Sequence, residues 1–371
     1  MQEMQSFIAQ IKNSQTYQRL ALLYKLGRDF HGAKTTYELI QELRSTHLTE
    51  QQLLTTLRQH QEISQFKQQL TAQVNLGPDE IGLICAYGIG DTYFVCALAQ
   101  QISAIHGQAR IVVVVKPEHS DIPDLFQKHI ARKVTLDRTV LAKICDSVDL
   151  IREFSHLAPG QLFFAHPRAR LGMQLDILGY KEIHLVDLYR VLFSLKPDRP
   201  LLQPAVTEAA WASARQRFQE YEFPEKRTVL LSPEATSTGI LSETLWQAIA
   251  EYFCDRGYKV ILLVSPNSYF LLPGLPRVYF PLSEAIPFTE LCGTVISLRS
   301  GFCDLIATAQ TNLVVLYPDQ AFHTGTVYTC ASLRLMQLSS SAQEIIVSDD
   351  TSPEQVLNQL SSSQTATAPT I

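Results

Sequence analysis

From Ile81 onward the chain repeats one unit: a short apolar run, a loop of glycines or small polar residues, then apolar residues at helical spacing. Ile81–Ala86 leads into Tyr87-Gly88-Ile89-Gly90-Asp91, and Phe94, Leu98 and Ile102 follow in a predicted helix over 92–105. Ile111–Val115 and Val260–Val264 are apolar throughout. Such runs mark strands buried on both faces of a parallel sheet, since a strand with one wet face would alternate. The pattern predicts further helices near Asp121–His129, Asp137–Ser147 and Leu185–Leu195, and a strand at Gln161–Ala165. Lys196-Pro197-Asp198-Arg199-Pro200 reads as an interdomain linker.

The unit then returns. A helix is predicted over Trp211–Tyr221 and a strand at Thr228–Ser232. A helix over Glu243–Arg256 is closed by Gly257 in the C-cap position. Strands follow at Lys259–Val264, Thr294–Leu298 and Asn312–Tyr317, with a helix over Phe302–Gln310 between the last two. Strands alternating with helices mean an α/β fold with parallel sheets. Two such series predict two Rossmann-like domains facing across a cleft, and 371 residues is a length for two domains with an appendage.

Residues 1–77 are the appendage. Glutamine recurs through them, no β-rich run appears, and apolar residues fall at helical spacing (Phe7, Ile8, Ile11; Leu20, Leu23, Tyr24; Leu53, Leu54, Leu57). Thr49 and Gln52 have the spacing of a capping box. This head reads as three or four helices, either a small bundle packed on the main body or a surface for docking or self-association. Asn75-Leu76-Gly77-Pro78 ends it. The predicted division is 1–77 helical, 78–197 first Rossmann-like domain, 198–345 second, and 346–371 a C-terminal helix with a disordered tail.

Composition narrows the function. A net charge of −5 argues against a dedicated nucleic-acid binder. No apolar run approaches the roughly 20 residues of a membrane-spanning helix, and the N-terminus lacks the pattern of a secretory signal. A cytoplasmic protein is expected, at the inner face of the membrane if its acceptor is lipid-linked. The seven cysteines have no CxxC spacing and sit mostly among apolar neighbours, so buried reduced thiols are expected rather than a zinc site or disulfides.

Ligands of open parallel sheets bind at the carboxyl ends of strands, and three loops stand there. In the first, Gly88 and Gly90 permit close backbone approach, and Asp91 lies at a helix start, as an N-cap or a functional carboxylate. The second, Ser232-Pro233-Glu234-Ala235-Thr236-Ser237-Thr238-Gly239, offers hydroxyls and N–H groups to a diphosphate, or caps the next helix. The third, Arg299-Ser300-Gly301-Phe302-Cys303-Asp304, joins a strand end to a helix start. N–H groups there suit an anion and Arg299 adds a permanent charge, or Arg299 and Asp304 form a structural ion pair. Arg168 and Arg170, after the Leu162–Ala165 segment, suit an anionic acceptor, and His323 the nucleotide pocket; each also reads as ordinary loop.

The order of these loops resembles the bacterial heptosyltransferase-like glycosyltransferases of the GT-B fold. Tyr87–Asp91 matches that family's opening G-hydrophobic-G-D turn, Val229–Trp246 the opening of its second domain, and Val295–Tyr317 its late motif, with Ser300 and Gly301 matching. The resemblance covers about residues 80–345. Glu234 stands where the family has Gly, the family's lysine before its Trp-Pro segment has no counterpart, and Arg299 and Asp304 stand where it has Asp and His. The resemblance implies an inverting, metal-independent glycosyltransferase with no cofactor beyond a nucleotide-sugar substrate. Asp91 would be the general base. Thr236, Ser237, Arg299, Ser300, Gly301, Phe302, Asp304 and His323 would hold the donor, and Gly88, Gly90, Arg168 and Arg170 the acceptor, a glycan, glycolipid or protein. The alternatives are another sugar-nucleotide enzyme on this fold, or a catalytically inactive scaffold working through the N-terminal helices.

Overall fold

In the computed structural model, which describes residues 50–167, 169, 183–196, 200–265, 268, 270, 272–322 and 325–364, the apolar runs are strands. β1 (Glu80–Cys85) is buried along its whole length, and β2 (Arg110–Val115) everywhere but its first residue. With β3 (Arg132–Thr135) and β4 (Leu162–Phe164) they form a parallel sheet of order β3-β2-β1-β4. The second sheet contains β5 (Thr228–Ser232), β6 (Lys259–Leu263), β7 (Arg277–Val278), β8 (Gly293–Leu298), β9 (Asn312–Pro318) and β12 (Gln343–Val347). Its order is β12-β9-β8-β5-β6-β7, parallel at every described pairing. β10 (Ala321–Phe322) and β11 (Gly325–Thr326) pair as a small antiparallel ribbon.

The chain divides into two units, Met1–Gln73 and Val74–Ile371, and both sheets belong to the second. The described part of the first is a helix, α1 (Glu50–Val74), whose last residue opens the second unit. The helices expected before it, Thr49, the linker residues 197–199 and the tail 365–371 lie outside the described residues.

β5 shows how these strands are read on both faces. Leu230 joins a cluster that includes Ile81, Val113 and Phe302, so one apolar core continues from the first sheet into the second. Its neighbours Val229 and Leu231 point to the other face, where they meet Trp246, Ile249 and Phe253 of α8 (Glu243–Cys254). Ser242 starts that helix by accepting from Leu245 N, and Gly257 follows its end at φ +75°, a conformation that disfavours a side chain.

Four details differ from the sequence expectation. The helix expected over 92–105 is two, α2 (Ile89–Ala97) and α3 (Ala99–Ile105), meeting at Leu98. Asp121–His129 is not a helix: 3₁₀ turns occupy Pro117–His119 and Pro123–Phe126, consistent with Pro123 having no N–H to extend a helical ladder. The helix expected over 137–147 is present as α4 (Arg138–Cys145), but a second helix that was not expected, α5 (Val148–Glu153), follows it. Of the cysteines, Cys254 is exposed and Cys145 half-buried; the other five are buried, and all seven are free thiols. Among the described residues no helix is long and apolar enough to cross a membrane.

The amino ends of three strands are joined by a buried acid. Glu80 of β1 accepts from Arg132 Nη2 of β3 at 2.8 Å and from the N–H of Gly77 at 3.0 Å, with Arg110 of β2 at 3.5 Å. The Arg132 hydrogen bond holds the Glu80 carboxyl below its ordinary value of 4.5, although burial opposes it. A lowered native value favours folding above that pH, and the benefit is lost as pH falls through the native value. We expect Glu80→Gln to cost about 1–2 kcal/mol at pH 7. Urea midpoints of the two proteins should converge as the pH falls from 4.5 through the native Glu80 value; a pH-independent gap would show that the ion pair is not the cause.

Candidate active site

Each sheet reverses its strand order at one place, the first between β1 and β4 and the second between β5 and β8. Crevices at the carboxyl ends of parallel strands form at such reversals. The loops leaving these four strands carry Gly88–Asp91, His166, Thr236–Thr238 and Arg299–Gly301.

Gly88 is the N-cap of α2, and Asp91 lies in its first turn. The N-cap is therefore Gly88 and not Asp91, which sits three residues further on and accepts from Gly88 N through Oδ2 at 2.8 Å. The other oxygen is also engaged. Oδ1 accepts from the hydroxyl of Tyr189 at 2.5 Å and has His166 Nε2 at 3.8 Å. The Asp91 side chain is nevertheless 21% exposed, so the carboxylate is held yet reachable. Tyr87 lies against the His166 ring, with centroids 4.1 Å apart.

Beneath this turn lies His119. Its Nδ1 is 3.4 Å from Thr92 Oγ1, and Thr92 donates to Gly88 O at 3.2 Å. Burial pushes the His119 imidazole down to about 4, so the ring is neutral at pH 7. The link runs from a neutral buried ring to the backbone that shapes the glycine turn.

The second half meets the first directly at α10 (Gly301–Ile306), whose N-cap is Ser300. A Cβ on Gly301 would lie 2.2 Å from Gly90 N and 2.9 Å from Gly90 Cα. A Cβ on Gly90 would lie 2.7 Å from Asp304 Oδ2. Neither position has room for a side chain, and on the Gly301 side the obstruction is backbone.

Arg299 is 2% exposed and Asp304 1%. The guanidinium donates to Asp304 Oδ1 at 2.7 Å, to Ala331 O at 2.5 Å and to Ser300 O. Burial works against its charge, and Asp304 more than restores it, so Arg299 stays protonated. Burial likewise pushes the Asp304 carboxyl up, to about 6; Arg299 pulls against the rise, and Asp91 across the junction adds to it. Ser300 Oγ is buried without a hydrogen-bond partner among the described residues. Phe302 packs into the continuous core.

The loop after β5 is tied to the loop after β8. Thr238 Oγ1 donates to Arg299 O at 2.5 Å, and Gln320 Nε2 donates to Thr238 O at 2.5 Å. Thr236 and Ser237 are exposed beside this tie. The structure therefore gathers Gly88, Gly90, Asp91, Arg299, Ser300, Gly301 and Asp304 at one junction. Arg168, Arg170 and His323 lie outside the described residues. Among the described residues no group of three or more His, Cys, Asp or Glu side chains could hold a metal ion. Tyr189 and His119 were not singled out from sequence: Tyr189 is 98 positions from Asp91, and no local spacing connects them.

Removing one partner of a buried ion pair leaves an uncompensated charge, at a cost of about 3–5 kcal/mol, whereas replacing both by apolar residues is often tolerated. Asp304→Asn is therefore expected to lower the urea midpoint sharply at pH 7.5, and the double variant Arg299→Met/Asp304→Leu to recover much of the loss. Equal stability of Asp304→Asn and the parent would show that the pair is not what holds this loop.

No protein-family model and no curated protein matches the chain. Solved structures share its fold, among them two that align along most of the chain. The E. coli ADP-heptose LPS heptosyltransferase II aligns over 77% of this chain and 99% of its own, with a TM-score of 0.53 and 16% identity. The glycosyl transferase family 9 protein of Veillonella parvula DSM 2008 aligns over 78% of this chain and 97% of its own, with a TM-score of 0.53 and 12% identity. At these identities the likeness is one of fold, and the fold is the GT-B arrangement of two Rossmann-like halves.

Proposed function

We propose that the chain is a glycosyltransferase. It moves a sugar from a nucleotide-sugar donor to a hydroxyl group of a glycan, glycolipid or protein acceptor, inverting the anomeric centre without a metal, with Asp91 as general base. The observation that carries this reading is the state of Asp91. It is a part-exposed carboxylate at the strand-order reversal of one half, with both oxygens oriented by donors and the other half's glycine turn against its own. The acceptor hydroxyl gives its proton to Asp91 as its oxygen bonds the anomeric carbon. The bond from that carbon to the diphosphate breaks, and the nucleoside diphosphate leaves.

The proposed donor loops are those after β5 and β8. Thr236 and Ser237 supply exposed hydroxyls. Arg299, buried and paired, acts by bracing the Ser300-Gly301 backbone. Gly88 and Gly90 shape the acceptor side, and Arg168, Arg170 and His323 remain proposed contacts. The four-part division proposed from sequence assigns the acceptor to the first Rossmann-like half and the donor to the second.

One observation favours a second reading, a non-catalytic binding protein on the same fold. The arginine expected to neutralise a diphosphate has its charge matched by Asp304 inside the protein.

A thermal-shift panel of nucleoside diphosphates and nucleotide sugars, with and without Mg²⁺, separates the two. Binding to the folded state stabilises it by about 2.7 kcal/mol at a hundredfold excess over Kd. One nucleotide should raise the midpoint by several degrees without Mg²⁺. Asp91→Asn should keep that shift and lose about 10²–10⁴-fold in turnover. No shift with any nucleotide would sink the transferase reading in favour of the binding protein.

A further inference from the structure

The geometry points to Tyr189 as a positioning residue for Asp91, holding the carboxylate in the orientation in which it takes a proton from the acceptor. This rests on the glycosyltransferase reading above.

Tyr189 belongs to α6 (Leu185–Leu192), far in sequence from the glycine turn. Its ring is fully buried and stacks on Phe94, with centroids 5.5 Å apart and 29° between planes. Phe94 lies on α2, the helix that carries Asp91, one turn further along. The phenol is thus packed against the element bearing its acceptor. A buried tyrosine hydroxyl needs a hydrogen-bond partner, and for stability alone a backbone carbonyl would serve. Here the partner is a part-exposed carboxylate at the strand-order reversal.

The two donors divide the carboxylate between them. Gly88 N–H holds Oδ2 and Tyr189 O–H holds Oδ1, so rotation about the Cβ–Cγ bond would break both hydrogen bonds. Each oxygen accepts one hydrogen bond and keeps a lone pair for a further partner. A base whose geometry is set before the acceptor arrives avoids reorganisation during proton transfer, and small misplacements of such groups cost large factors in rate. Removing the hydroxyl should therefore lower turnover and leave donor binding unchanged, which simple packing loss would not do.

The experiment compares the full chain with Tyr189→Phe and Asp91→Asn. The assay is hydrolysis of the nucleotide sugar selected by the thermal-shift panel, with water as acceptor. In parallel, donor binding by each protein is read from its thermal shift with that nucleotide sugar. We expect Tyr189→Phe to lower kcat about 10- to 100-fold with KM for the donor nearly unchanged. Its thermal shift with the donor should match the parent's. Asp91→Asn should lose about 10²–10⁴-fold in turnover. If Asp91→Asn loses turnover while Tyr189→Phe matches the parent in kcat, the positioning role is overturned and the base role stands. If Asp91→Asn turns over like the parent, the base reading falls, and the role of Tyr189 in it falls too. A loss of activity in Tyr189→Phe that lies in KM and donor binding rather than in kcat overturns the proposal.

Discussion

Gly90 and Gly301 meet backbone to backbone, and the arrangement of the junction depends on that contact. A side chain at Gly301 would need the space that Gly90 occupies, and one at Gly90 would press on the buried Asp304 carboxylate. Their approach brings the amino-terminal ends of α2 and α10 together, so two helix ends carrying partial positive charge face each other across the junction. Asp91 lies in the first turn of one and Asp304 in the first turn of the other. Carboxylates there are electrostatically favoured, though the two repel each other across the junction.

The two acids have different surroundings, and their chemistry differs accordingly. Asp304 is sealed among buried groups, and the cost of burying its charge is met by a guanidinium that is itself buried. Arg299 then reaches two further carbonyls, Ser300 O and Ala331 O, and pins the loop before α10. Thr238 and Gln320 extend the same tie to the loop after β5. This side of the junction is a rigid support. Asp91 is held by the Gly88 N–H and the Tyr189 hydroxyl and stays in reach of solvent.

Much of the fold was legible because buried parallel strands must be apolar on both faces. Ile111–Val115, Thr228–Ser232 and Asn312–Tyr317 appear where their composition placed them. β3, with its alternating half-buried residues, has no such signature, and it is a strand because β2 offers it an edge to pair with. The glycine turns and the Arg299–Asp304 pair were readable as local patterns, since a strand end followed by small residues and a helix start has few other uses. Which reading applied to Arg299 was not, because a guanidinium beside a helix end suits a phosphate or a carboxylate equally well. The fold leaves it 2% exposed and in contact with the carboxylate, and the two readings can coexist.

The sequence by itself determined the alternation of strands and helices, the placing of glycine turns at strand ends, and the residue types that stand there. These follow from periodicity and backbone conformation, which act over a few residues. The tertiary structure alone decided that Gly90 would lie against Gly301, that Tyr189 would reach Asp91 from 98 positions away, and that His119 would be buried and neutral beneath the turn. Such contacts arise from the packing of whole elements. No short-range rule encodes them, because the free energy that selects them is shared across the continuous core joining the two sheets.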